Sequence, residues 1–107
     1  MPAPEQPLAG DKGPLDPLFH EPARLAALSA LVPAEYIEFA SLLTLVGVSK
    51  SALSKHLSML SDAGMVTVSQ SATDKRGRRV ALTAQGRAAF DAYLSYLEHL
   101  VRSARAQ

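Results

Sequence analysis

Ser49-Lys50-Ser51-Ala52-Leu53-Ser54-Lys55-His56-Leu57-Ser58-Met59-Leu60-Ser61-Asp62-Ala63-Gly64 is the stretch that decides how this chain is read. Leu53, Leu57 and Leu60 follow at spacings of four and three, which places them on one face of an α-helix running to Ala63. Ser49 offers the side-chain oxygen that an N-cap needs, and Gly64 suits the helix's other end. The opposite face presents Lys50, Ser51, Ser54, Lys55 and Ser58, with no carboxylate before Asp62. An α-helix fits the major groove of B-DNA, where lysine donates to guanine, serine donates or accepts, and small side chains allow close approach. Taken alone, such a face reads equally well as a solvated helix surface.

The flanking sequence gives this helix its context. Upstream, Leu25, Leu28 and Leu31 or Val32 recur at helical spacing between Pro22, suited to a first turn, and Pro33, which stops the run. Glu35 to Glu38 reads as a short extended bridge, and Phe39, Leu42, Leu43, Leu45 and Val46 as a two-turn helix ending at Gly47. Downstream, Val66-Thr67-Val68-Ser69 alternates as a strand does, and Arg79 to Leu82 reads as its returning partner. Between them Ser71 to Arg78, with Gly77, forms a polar, basic hairpin loop. Thr83 caps a last helix in which Phe90, Leu94, Leu97, Val101 and Ala104 repeat at spacings of four and three. The expected fold is mainly α with a small β-hairpin (α+β), in the order helix, helix, Gly turn, helix, hairpin, long helix.

The hairpin tip sharpens the functional reading. Lys75, Arg76, Arg78 and Arg79 crowd into Thr73-Asp74-Lys75-Arg76-Gly77-Arg78-Arg79. A narrow cationic loop can reach a neighbouring minor groove or the backbone, where arginine is favoured by the concentrated negative potential and by bidentate phosphate contact. Asp74 reads either as an internal partner for one of these arginines or as an ordinary turn residue.

Composition limits the alternatives. A chain of 107 residues, 48% hydrophobic, builds one core. Its mean hydropathy of +0.06 and the lack of any run near the roughly 18 apolar residues of a membrane span lead us to expect a cytoplasmic, nucleoid-associated protein with no membrane partner. No basic, then apolar, leader opens the sequence. Five of its seven prolines fall at Pro2, Pro4, Pro7, Pro14 and Pro17, so residues 1–15 read as a flexible arm and 16–107 as the domain, with a dimerisation helix over 84–105. Cysteine is absent, which rules out disulfides, thiolate metal sites and cysteine nucleophiles. The net charge of +1 hides an asymmetry: residues 1–48 carry two cations against six carboxylates, and residues 49–107 carry nine against four. A local excess of this kind hints at a polyanionic partner.

The motif residues resemble two known families. Leu45-Val46-Gly47-Val48-Ser49-Lys50-Ser51-Ala52-Leu53-Ser54-Lys55-His56-Leu57, with Leu60 and Ala63-Gly64-Met65-Val66, resembles the helix-turn-helix of ArsR-type and MarR-type repressors. Asp74 to Arg79 followed by Val80-Ala81-Leu82-Thr83-Ala84-Gln85-Gly86-Arg87 resembles the MarR-type wing and its exit into the last helix. The resemblance spans about residues 20–100. It implies a winged-helix dimer whose third helix reads the major groove while a wing arginine approaches the minor groove. The chain departs from both families in ways that matter. It has one long helix after the wing, fewer than MarR-type regulators carry around their effector pocket, and it lacks the cysteines and the histidine-acid spacing of ArsR-type metal sensors. It resembles their scaffold without their sensor.

His20, His56 and His99 are scattered, so no metal site and no cofactor is expected, and His56 reads as a packing or hydrogen-bonding residue of the third helix. No G-x-S-x-G elbow, phosphate-binding glycine loop or paired carboxylates recommend an enzyme or catalytic residues. Tyr93, Tyr96 and Leu100 widen the apolar stripe of the last helix beyond what one domain needs. The expected homodimer interface is therefore Leu25, Leu28, Phe90, Tyr93, Leu94, Leu97, Leu100 and Val101. The expected double-stranded DNA-binding residues are Ser49, Lys50, Ser51, Ser54, Lys55, Ser58, Lys75, Arg76, Arg78 and Arg79. Such a dimer would bind a pseudo-palindromic operator as a repressor. A small-molecule effector, if one acts, is expected near Phe39, Tyr93 and Tyr96. The competing reading is a winged-helix module that binds protein, with the basic wing only a solubilising tip.

Overall fold

Prolines, glycines and capping side chains mark most of the boundaries between elements. The structure is a computed structural model that describes residues 15–106. The arm expected over 1–15 therefore lies, apart from Leu15, outside the described residues. A 3-10 turn at Pro17–Phe19 is capped by Asp16, whose carboxylate accepts from the Leu18 N–H at 2.9 Å. Helix α1 follows over Pro22–Leu31, with Glu21 as N-cap and Pro22 in the first helical position. Strand β1 is Ile37–Glu38, helix α2 Phe39–Val46 and helix α3 Lys50–Asp62. Strands β2 (Val66–Gln70) and β3 (Arg78–Leu82) lead into helix α4 (Ala84–Arg105). This is the expected order of elements.

The turn between α2 and α3 depends on Gly47, which adopts φ +76° and donates its N–H to the Leu43 carbonyl at 2.9 Å. That left-handed conformation strains any residue with a Cβ. It lets Ser49 cap α3 two residues later, by accepting from the Ala52 N–H at 3.1 Å.

The sheet has one strand more than the sequence reading gave it. The bridge before α2 is a strand of the sheet, whose order is β1-β3-β2, antiparallel throughout. Ile37 pairs with Val80 and Glu38 with Arg79, so β3 is the central strand and starts at Arg78, one residue earlier than expected. Two residues cannot display the alternation by which a strand is recognised in sequence.

Phe19, Leu28, Leu31, Leu42, Leu53, Leu60, Met65, Val80, Phe90 and Tyr93 form the fully buried centre. Each such side chain contributes about 1.5–3 kcal/mol of transfer free energy. Phe19 packs edge-on against Phe90 and Tyr93, with ring centroids 5.7 and 5.2 Å away. The segment before α1 thus closes the core over the first half of α4. The start of α4 is locked to the sheet: the Thr83 N–H donates to the Met65 carbonyl at 3.0 Å, and its hydroxyl donates to the Gly64 carbonyl at 2.6 Å. At Gly86 the α4 backbone lies directly against the Met65 carbonyl, where a Cβ has no room.

Candidate nucleic-acid interface

Helix α3 is oriented by its apolar residues. With Leu53, Leu57 and Leu60 buried, Ser51, Lys55 and Ser58 are turned to solvent. Lys50, at the first helical position, projects toward the wing. Ser54 is half-buried and, with Ser58 and Ser61, borders a cleft between α3 and the sheet whose other wall includes Phe39 and Arg78. Ser49 is exposed but engaged, since its hydroxyl holds the cap and lies 3.4 Å from that of Ser51.

The wing is a tight, internally bonded loop. The Ser71 N–H donates to the Gly77 carbonyl, and the Gly77 N–H donates to the Asp74 carbonyl, both at 2.9 Å. The Asp74 carboxylate accepts the Arg76 backbone N–H at 3.0 Å. Of its two expected roles, Asp74 takes the turn role, because its acceptor is spent on backbone rather than on a guanidinium. Lys75 and Arg76 point outward at the tip. Among the described residues, Lys50, Lys55, Lys75 and Arg76 make no ion pair with a carboxylate.

The four wing cations are not equivalent. Arg79, expected on DNA, is half-buried at the wing's base. Its Nε donates to Glu38 Oε2 at 3.2 Å, and its guanidinium lies over the Tyr36 ring at 3.9 Å. The cross-strand register explains this placement, since Glu38 and Arg79 are partners in the β1–β3 ladder. Ser71 donates to the same Glu38 oxygen at 3.2 Å. Arg78 is exposed, and its guanidinium lies over the Phe39 ring at 4.9 Å, on the wall between two grooves. The larger groove, about 510 Å³, brings Lys50, Arg76 and Arg78 together between α2, α3 and the wing. Its three cations outnumber its two carboxylates, Glu38 and Asp74, and Glu38 is already paired with Arg79, so the groove carries a net positive charge.

The expected dimer residues, on α1 and α4, fall into three groups. Leu28, Phe90 and Tyr93 are no more than 1% exposed and belong to the chain's own core, a correction to their expected place at a subunit seam. For Phe90 and Tyr93 the cause is Phe19, an unassigned residue in the sequence reading, which covers that side of α4. Leu25, Leu94 and Leu97 are half-buried against the core. Leu100 and Val101 stand open to solvent at 40% and 50% exposure, beside Tyr96. The same packing separates the residues of the expected effector position. Tyr93 is enclosed by Phe19 and stacked on Phe90, and its hydroxyl lies 3.0 Å from His20 Nδ1, whereas Phe39 faces the wing.

Sequence reasoning missed the surroundings of Arg24. This residue spans from α1 to His56 on α3 at 3.0 Å, and no periodicity signals an isolated cation facing a histidine 32 positions away. Among the described residues there is no group of three metal-ligating side chains, and no helix is long and apolar enough to cross a membrane.

A two-faced third helix, a basic wing packed beside it and a long closing helix are the geometry of a known domain type, and the winged helix DNA-binding domain model matches residues 23–101. The chain belongs to the winged helix DNA-binding domain family. Solved structures share this winged helix fold. A transcriptional regulator homologue from Pyrococcus horikoshii aligns with a TM-score of 0.75 at 22% identity, covering 82% of this chain and 88% of that protein. MosR of Mycobacterium tuberculosis, solved in complex with DNA, aligns with a TM-score of 0.70 at 24% identity, covering 88% of this chain and 68% of MosR. YusO of Bacillus subtilis gives 0.72 at 20% identity over 77% of this chain, which spans only 58% of YusO. At these identities the likeness is one of fold. No curated protein sequence matches the chain.

Proposed function

We propose that this winged helix domain is a sequence-specific regulator of transcription that binds duplex DNA as a homodimer and represses by occluding a promoter. One observation carries the reading: Lys50, Lys55, Lys75 and Arg76 are grouped on α3 and the adjoining wing, exposed and without carboxylate partners among the described residues. An ordinary solvated surface intersperses charges of both signs. Here Lys50, Arg76 and Arg78 outnumber the two carboxylates of the groove, one of which is paired with Arg79.

Ser51, Lys55 and Ser58 are assigned to base edges or to phosphates beside them, and Lys75, Arg76 and Arg78 to the backbone and the adjacent minor groove. Ser49 and Ser54 support this face from the cap and the cleft. Arg79 holds the wing's base. Leu100 and Val101, exposed with Tyr96 on the distal half of α4, supply the seam for a second copy. A two-fold pair would place its α3 helices about 34 Å apart, one turn of B-DNA, and so would read a pseudo-palindromic site from the cytoplasm.

The test is affinity for duplex DNA over a salt series, with wild type and Lys55→Ala/Arg76→Ala. Wild type is expected to bind with a steep salt dependence, and the variant to lose about 0.9 in slope for each phosphate contact removed. Equally feeble, salt-insensitive binding by both would overturn the reading and favour a protein-binding module.

A further inference from the structure

The core holds helix α3 on its inner face, and a polar cluster that contacts no assigned DNA residue holds one flank. Around α3, Ser54, Ser58 and Ser61 border the cleft toward the sheet, Lys55 points outward, and His56 and Met59 lie on the flank against the start of α1. Arg24 reaches this flank from α1. Its Nη1 donates to His56 Nδ1 at 3.0 Å and to Met59 Sδ at 3.6 Å, while its Nε donates to the Leu18 carbonyl at 2.6 Å. The other imidazole nitrogen, Nε2, stands 3.6 Å from Glu21 Oε1.

These partners assign the tautomer. A guanidinium has only donors, so Nδ1 accepts and the ring proton sits on Nε2, directed at the carboxylate. Glu21 is fixed in turn, because as N-cap it accepts the Arg24 N–H at 2.9 Å. That backbone bond, helped by a weaker one from the Ala23 N–H and by the Arg24 charge, outweighs the opposing effect of burial and holds its carboxyl below the usual range. The cluster therefore sets Arg24 of α1 and the α1 N-cap, Glu21, against the two nitrogens of one side chain on α3.

We propose that Arg24 is a positioning residue for sequence reading: by donating to His56 it fixes the rotation of α3, and with it the aim of Ser51, Lys55 and Ser58 at base edges. The inference rests on the DNA-binding function proposed above. With a side-chain envelope about 5–6 Å in radius, turning a helix by ten degrees moves the tips by roughly 1 Å. Base-edge hydrogen bonds do not survive a shift of that size, since the useful donor–acceptor range is only about 0.5 Å wide. Flexible lysines on phosphates do adapt. Loss of the Arg24 contact therefore lowers specific affinity and spares non-specific affinity.

The experiment first lets wild type select a duplex from a randomised library. Affinities for that duplex and a scrambled one are then measured for wild type, Arg24→Gln, His56→Asn and His56→Gln, each corrected for its active fraction. Asparagine keeps an acceptor near Nδ1, within reach of Arg24, whereas glutamine reaches only toward the Nε2 position. Arg24→Gln and His56→Gln are expected to bind the selected duplex about tenfold more weakly, and His56→Asn to stay within about threefold of wild type. Scrambled-duplex affinity and salt slope should be unchanged in all. Equal behaviour of the two His56 variants, undiminished selected-duplex binding by Arg24→Gln, or a parallel loss on both duplexes would overturn the positioning role while leaving the DNA-binding function standing. Failure of wild type to select any sequence would overturn both.

Discussion

The Arg79 guanidinium lies 3.9 Å from the centre of the Tyr36 ring, on the side of the wing away from its tip. This contact, with the Glu38 ion pair at 3.2 Å, takes one of four clustered wing cations out of the surface available to DNA and uses it to join β1 to β3. Arg79→Ala should cost about 1 kcal/mol of stability, as expected for a partly exposed ion pair and cation–π contact. It should leave the salt slope of DNA binding close to that of wild type. Arg76→Ala should do the reverse, and urea titration beside a salt series of affinities separates the two.

Gly86 tests how α4 is anchored. A methyl group there meets the Met65 carbonyl, a backbone atom that cannot rotate away. Gly86→Ala should destabilise the fold by about 3 kcal/mol or more, measured by thermal or urea unfolding, despite alanine's better helix propensity. A neutral or stabilising effect would mean that α4 does not sit against the end of α3 as described.

The distal half of α4 should separate association from folding. Leu100 and Val101 are exposed and make no contribution to the buried centre. The double change Leu100→Glu/Val101→Glu is expected to yield a folded monomer, with unchanged circular dichroism and halved mass by sedimentation. Its affinity for a pseudo-palindromic duplex should fall with the loss of the second reading head.

Tyr93 gives an alkaline signature. Burial pushes its phenol above the ordinary value of 10.0, so the folded chain favours the protonated form. The raised value means that stability is fully present below about pH 10 and is lost as pH rises beyond it. Tyr93→Phe should flatten this decline in urea midpoint above about pH 10, at the expense of the His20 contact. Identical alkaline limbs in both proteins would contradict the assignment.

Most of the architecture was legible in the sequence because its elements carry strong local signals. Leucine spacing in α3, Thr83 before α4 and Gly47 after α2 each state a boundary in a few residues. The β1 strand was legible only as an extended bridge, being two residues long. The role of Phe19 was not legible, because a lone aromatic in a proline-flanked segment has no periodicity to assign it to a core. That gap explains why Phe90 and Tyr93 were expected at a subunit seam: without Phe19, α4 has one apolar side too many. The proposed DNA-facing set stands in the sequence as a basic stretch. Separating Arg79 from its neighbours needed the Glu38–Arg79 register, which is a property of pairing between strands distant in sequence.

The most direct test of the central claim is a hydroxyl-radical and dimethyl-sulfate footprint of the wild-type protein on the duplex it selects from a randomised library. Two symmetric sets of protected major-groove positions, centred about 10 base pairs apart, are predicted for a two-fold pair of α3 helices. Uniform protection along the duplex, or failure to select a sequence at all, would contradict the account of this chain as a sequence-reading dimer.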